Sequence, residues 1–181
     1  MTRAEHCIGI VLQFEGGLVD HPADRGGSTN KGITQITYDA HRREKGLPPQ
    51  PVQFIADSEV LEIYTAGYWT AAHCYQMAPP VDLAVMDCAV HSGPARSIKF
   101  LQQCVGVEDD GICGPATLQA LAQCINHTSA QMVAQSVIMR RRKFLQELTM
   151  RDPSQRVFLH GWINRCDRLA ALIDAHKGAR G

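Results

Sequence analysis

Glu15 is the acidic residue whose setting points most clearly to chemistry. Ile8, Val11 and Leu12 recur at helical spacing, and continuing that series by three lands on Glu15, so a carboxyl group falls on an apolar stripe. Gly16 and Gly17 follow at once, the composition of a helix C-terminus. An apolar face strips water from a carboxylate, and the negative end of a helix dipole opposes its charge. A carboxyl group kept protonated in this way can donate to a leaving oxygen, which is the acid step of glycosidic bond cleavage. Asp24 follows nine residues later, with Asp20 nearer, on a loop that could fold back over the helix end. A second carboxylate roughly 6.5–9.5 Å from the acid would activate a water, whereas one about 5 Å away would act as a nucleophile. Chain spacing leaves both open. Ser28, Thr29 and Thr34 add hydroxyls beside glycines that let a backbone approach a sugar closely, yet all are also ordinary turn residues. Glu15 itself would equally suit a partly exposed helix end.

Other residue types define what the chain does not offer. The eight histidines show no HExxH or similar spacing, so no zinc site is expected. The seven cysteines, at 7, 74, 88, 104, 113, 124 and 166, are odd in number and contain no CxxC pair. They predict neither a disulfide framework nor a zinc knuckle, but a chain folded in a reducing cytosol. No short run places a cysteine on a catalytic turn. Tyr68 and Trp69 could stack on sugar rings or belong to the core, and Trp162 reads as core. The run RRRK at 140–143 wraps most of the way round a helix, so its members cannot share one task. Arg141 falls inside the apolar face made by Ala134, Val137, Ile138, Leu145 and Leu148, where an arginine wants a carboxylate or else lays its stem on the core and reaches water.

The elements that must hold these groups are mostly helical. A first helix runs to Glu15, and residues 18–34, with Pro22 and several glycines, form a looped hairpin. A helix from about Ile36 to Lys45 stops at Gly46, and PPQP at 48–51 is a breaker. Asp57 or Ser58 caps a helix carrying Val60, Leu61, Tyr64 and Tyr68, and another runs from Val81 to His91 after two prolines. Beyond Ser92, Gly93 and Pro94 come a helix near 95–105, the turn EDDG, and a helix opened by Pro115. Thr128 and Gln131 form a capping-box pattern for a long helix to about Met150, Asp152 and Pro153 open a short one, and Trp162–Ala175 make the last.

At 181 residues, 45% hydrophobic and 20% charged, the chain suits one globular domain or two small ones. Eighteen Lys plus Arg balance eighteen Asp plus Glu, without the basic excess of a free nucleic-acid binder. The N-terminal apolar stretch is too short for a signal peptide or a membrane span, and nothing later approaches a spanning length. The zero total hides an asymmetry: residues 1–90 carry a net −5 and residues 91–181 a net +5. The basic half is therefore expected to face an anionic partner and to bind it in a salt-sensitive way.

The run FEGGLVDHPADRGGSTNKGIT at 14–34 resembles the signature of the glycoside hydrolase family 108 muramidases, which cleave the glycan of peptidoglycan. The order Glu15, Asp24, Thr29 and Gly32-Ile33 is also similar to that of phage-type lysozymes. GYW at 67–69, MDCAVHSGP at 86–94, LQQCVGVEDDGICGPATLQAL at 101–121 and GWINR at 161–165 extend the likeness over most of the chain. The second half is similar to the peptidoglycan-binding module that accompanies such catalytic domains, while His91 stands where the family more usually has Asn.

The resemblance implies a mostly α, lysozyme-like helical fold with a small irregular β-hairpin near the N-terminus. It implies a catalytic region at 1–92 and a helical peptidoglycan-binding-like module at 93–181, packed as one compact unit. Glu15 would be the catalytic acid, Asp24 the second carboxylate or water-orienting group, and Thr29 a hydroxyl that helps hold the water. Thr34, Tyr68 and Trp69 would contact substrate, and Arg141 would pair with Glu15, as a late-helix arginine does in phage-type lysozymes. The expected activity is that of a lysozyme cutting between N-acetylmuramic acid and N-acetylglucosamine, without metal or organic cofactor, as a monomer that engages peptidoglycan and neither nucleic acid nor membrane. Without a signal peptide, it would reach the wall through a holin or similar route, as a phage endolysin or phage-derived accessory enzyme. A lytic transglycosylase and a non-catalytic wall-binding protein are the competing readings.

Overall fold

Thr2 opens the first helix as a capping residue should. Its hydroxyl accepts from the Glu5 amide at 3.2 Å while the Glu5 carboxylate accepts from the Thr2 amide at 2.7 Å, closing a capping box. The structure, a computed structural model, describes residues 1–15 and 28–175. It divides into two units, Met1–Gly67 and Tyr68–Gly181.

In the first unit, helix α1 (Arg3–Leu12) packs on α3 (Asp57–Tyr64) and buries Cys7, Ile8, Ile10 and Val11. Between them lie the strands β1 (Thr29–Asn30) and β2 (Ile33–Thr34) and helix α2 (Gln35–Glu44). The strands are antiparallel, with Thr29 opposite Thr34 and Asn30 opposite Ile33. Two loop residues join them, Lys31 and Gly32, with φ of 50° and 75°, the positive values at both loop positions that a type I′ hairpin requires. Thr34 ends the hairpin and begins α2, its hydroxyl accepting from the Thr37 amide at 3.2 Å. Outside the hairpin, a 3-10 turn at Val52–Phe54 anchors both segments. The Asn30 amide group donates to the Val52 carbonyl at 3.2 Å, and the Val52 amide donates to Gln35 Oε1 at 2.7 Å.

The cap of α3 differs from the sequence expectation. Asp57 is the first helical residue and its carboxylate pairs with Lys31 of the hairpin, which also holds that carboxyl below its ordinary range. Glu59 does the capping instead, accepting from the Ala56 amide at 3.1 Å. Glu59 further accepts from the Tyr38 hydroxyl at 2.6 Å and from Arg42 at 2.6 Å. Burial works to raise the Glu59 carboxyl, but these donors prevail and hold it low, keeping it ionised under the hairpin. A π-helical stretch, Thr65–Thr70, follows α3.

Among its described residues the second unit has helices and no strand: α4 (Val81–Ser92), α5 (Pro94–Val105), α6 (Pro115–His127), α7 (Ala130–Arg151) and α8 (Arg156–Ala175). Every residue of α4 from Val81 to Ala89 is buried, as a helix that is apolar nearly all round must be. It packs on α5 and α7, and α7 in turn on α8. The turn after α5 is built round one buried side chain. Gln102 donates to Asp110 at 2.7 Å and to Thr117 at 3.1 Å, and accepts from the Gly111 amide at 2.8 Å. Two boundaries shift from expectation: Ser129, not Thr128, caps α7, through the Met132 amide at 3.1 Å, and α8 begins at Arg156 as one continuous helix. Thr128 instead donates its hydroxyl back to the Cys124 carbonyl at 2.7 Å, which removes it from capping. Among the described residues, no helix is long and apolar enough to cross a membrane.

Candidate active site

Glu15 is not in the last turn of α1. The helix ends at Leu12, and the amides of Gln13 and Phe14 close onto Ile10 and Val11 at 3.1 and 2.9 Å, tightening the exit. Glu15 stands half-buried in the bend beyond. Its carboxyl group lies against the hairpin tip. A Cβ placed on Gly32 would lie 2.9 Å from Glu15 Oε2 and 2.6 Å from the Tyr64 hydroxyl oxygen, so both oxygens occupy the space that any side chain there would need. The Tyr64 hydroxyl donates to the Lys31 carbonyl at 2.8 Å and clamps the turn from α3. Glycine at 32 is therefore required twice, by its φ of 75° and by this close approach.

A test follows from the crowding. Gly32→Ala is expected to lower the thermal midpoint by about 3–6 °C, from roughly 1–2 kcal/mol of left-handed backbone strain plus the clash. Adding Tyr64→Phe removes the nearer oxygen, so the double variant should lose less than the sum of the two singles. Additive losses in thermal melts would deny the crowding.

The remaining predicted site residues fall in different surroundings. Thr29 is half-buried on β1, directly across from Thr34. The Thr34 hydroxyl is engaged as the cap of α2, 3.0 Å from that of Thr37. Tyr68 is half-buried, and Trp69 is packed in the core at 7% exposure, which leaves its ring no open face for a sugar. Asp24, and Asp20 with it, lies outside the described residues.

Arg141 is fully buried, as its place on the apolar face predicted, and the carboxylate it meets is Asp87 of α4. Asp87 also receives Arg165 of α8, at 3.0 Å from Nε and 2.7 Å from Nη2 to Oδ1. Burial favours a neutral Asp87 carboxyl, yet the two guanidiniums outweigh it and hold it below the ordinary carboxylate range. His91, one turn on from Asp87, is pushed down to about 4 by burial and by Arg141 and Arg165, so it is a neutral imidazole. Its ring meets Trp162 edge-on at 5.6 Å.

Sequence reasoning missed Tyr64 and Asp87. Tyr64 looked like one more apolar position on α3, and nothing local marks a hydroxyl whose acceptor lies 33 residues away. Asp87 did carry a signal, since an acid inside the apolar run VMDCAV demands a buried cation.

Comparison with known families divides the chain in two. The model described as Glycosyl hydrolase 108 matches residues 8–93, and the model described as Predicted Peptidoglycan domain matches residues 96–167. Among solved structures, SagA of Brucella abortus is 32% identical with a TM-score of 0.76, over 95% of this chain and 94% of that one. Comparison with curated proteins finds no match. The mostly α, lysozyme-like fold and these matches define a glycoside hydrolase that acts on peptidoglycan of the cell wall. The chain belongs to the glycosyl hydrolase 108 family.

Proposed function

We propose that the chain is an endo-N-acetylmuramidase that hydrolyses the β-1,4 bond between N-acetylmuramic acid and N-acetylglucosamine. Residues 1–92 form the catalytic region and residues 93–181 the wall-binding module. The observation that carries this reading is the Glu15 carboxyl set against the Gly32 turn beside the Tyr64 hydroxyl, which clamps that turn.

In this mechanism Glu15 gives its proton to the glycosidic oxygen as the bond from C1 to that oxygen breaks. A water supplies its hydroxyl to C1 and gives up its other proton to a carboxylate, with Asp24 as the second carboxylate or water-orienting group and Thr29 helping to hold the water. Thr34 and Tyr68 border the substrate, and Tyr64 acts as a positioning residue through the turn. The order of carboxylate and hydroxyl residues from 15 to 34 supports these roles, as does the likeness to phage-type lysozymes. That likeness also supports a phage endolysin or a phage-derived accessory enzyme.

Mass spectrometry of borohydride-reduced fragments from purified sacculi tests the bond cleaved. One new reducing N-acetylmuramic acid end per cut is expected. Reducing N-acetylglucosamine ends would make the enzyme a glucosaminidase, and 1,6-anhydro ends a lytic transglycosylase. Intact glycan would leave a wall-binding protein without catalysis.

A further inference from the structure

The RRRK run is divided by the structure into three directions. Arg141 points into the core at Asp87, and Arg142 pairs across to Asp167 on α8. Arg140 and Lys143, three residues apart on one side of α7, are exposed and line a concavity of about 350 Å³ together with Arg96 and Lys99 of α5. A second concavity of about 400 Å³ continues from it, sharing Arg140 and Lys143. The floor is aromatic: the rings of Phe100 and Phe144 lie 5.5 Å apart, and the Arg96 guanidinium sits 4.4 Å over the Phe144 ring.

Four cations share this groove with two acids that are already engaged. Asp109 accepts from Gln103 at 2.6 Å, and Glu147 is met by Lys143 at 3.9 Å and Arg151 at 3.4 Å along its own helix. Among the described residues, no carboxylate lies within ion-pair distance of Arg96, Lys99 or Arg140. Four cations against two acids leave the concave wall with a net positive charge, which concentrates anions.

We propose that this α5–α7 groove binds the carboxylates of peptidoglycan stem peptides. The inference rests on the reading of the chain as a peptidoglycan hydrolase and extends it. The glycan backbone of N-acetylated sugars offers no charge for four cations, apart from its peptide stems, whose free carboxylates do. Single-stranded nucleic acid wants open aromatic faces for stacking, and here Phe100 is buried and Phe144 is covered by Arg96. The groove would thus select wall regions that carry free peptide.

Binding of the full chain to a disaccharide-tetrapeptide muropeptide, measured by calorimetry at several salt concentrations, tests this. Arg140→Gln/Lys143→Gln should weaken binding by about tenfold or more and flatten its salt dependence. Arg43→Gln/Lys45→Gln, exposed residues of the first unit and the same loss of charge, should bind within about twofold of wild type. The peptide-free disaccharide should not distinguish the variants. Thermal melts check folding, and Arg96→Gln/Lys99→Gln on α5 is a second route to the same loss. Equal weakening by both charge-matched doubles, absence of muropeptide binding, or competition by anionic vesicles or a polynucleotide as effective as that by free tetrapeptide would overturn the proposal. Lost muropeptide binding with sacculi still cut to N-acetylmuramic acid ends would remove this inference alone. Retained binding without cutting would remove the hydrolase reading instead.

Discussion

Glu15→Gln is expected to lower turnover on sacculi by about a thousandfold while changing apparent affinity by no more than about threefold. The asymmetry follows from what the substitution removes. Glutamine keeps the shape and the acceptor oxygen that packs against Gly32 and Tyr64, so the hairpin tip and the substrate surface stay as they are. It has no proton to give, and a positioned general acid is worth roughly 10²–10⁴-fold. A loss confined to kcat marks a group used in the transition state, whereas a rise in KM alone would mark one that only holds the sugar. Glu15→Asp should fall between the two, because the shorter side chain retreats from the turn. Activity of Glu15→Gln within tenfold of wild type, at equal folded fraction, would take the acid role away from Glu15.

The path to that residue was local, and this explains both what could be read in advance and what could not. An apolar stripe ending at Glu15 before two glycines, then a turn-rich run with threonines, is visible in one short stretch of chain. The exit of α1 was misjudged because the three-residue spacing that placed Glu15 on the stripe also fits the i to i−3 closure at Gln13 and Phe14. The hairpin was legible as turn chemistry, and Lys31-Gly32 now supplies its two positive-φ positions. Its anchoring was not legible. Tyr64 to Lys31, Asn30 to Val52 and Lys31 to Asp57 each span more than 20 residues, and no periodicity records them. Arg141 shows the limit in another form. Its place on an apolar face calls for a carboxylate or a route to water, and the fold supplies the carboxylate from Asp87 in the middle of α4, a partner that helical spacing alone does not pick out. Helical spacing tells which residues share a face and not which face another helix will cover.

The Asp87 cluster is where stability is expected to be most sensitive. Asp87→Ala should cost about 3–5 kcal/mol, because it leaves the guanidinium of Arg141 fully buried without its counter-charge. Arg141 has no reserve: its Nε and Nη2 are already buried without hydrogen-bond partners among the described residues. Arg165→Met should cost less, because Asp87 keeps its ion pair with the fully buried Arg141. Asp87→Leu with Arg141→Met removes both buried charges and keeps apolar volume, and it should recover a large part of the Asp87→Ala loss. The pH dependence separates two groups. Below about pH 6.5 an unfolded chain protonates His91, whereas the folded protein resists down to about 4, so stability falls over that window by at most about 1.4 kcal/mol per pH unit. His91→Asn should flatten this limb. Asp87 acts lower: its folded-state carboxyl lies below the ordinary value of about 3.9, so its contribution is present above that value and is lost as pH falls through the depressed one. Chemical denaturation from pH 7 to 3 should therefore show a loss that depends on His91 between about pH 6.5 and 4 and, below about 3.9, the onset of one that depends on Asp87, each with the same limiting slope. An unchanged upper limb in His91→Asn would show that the imidazole is not held neutral by burial and its cationic neighbours.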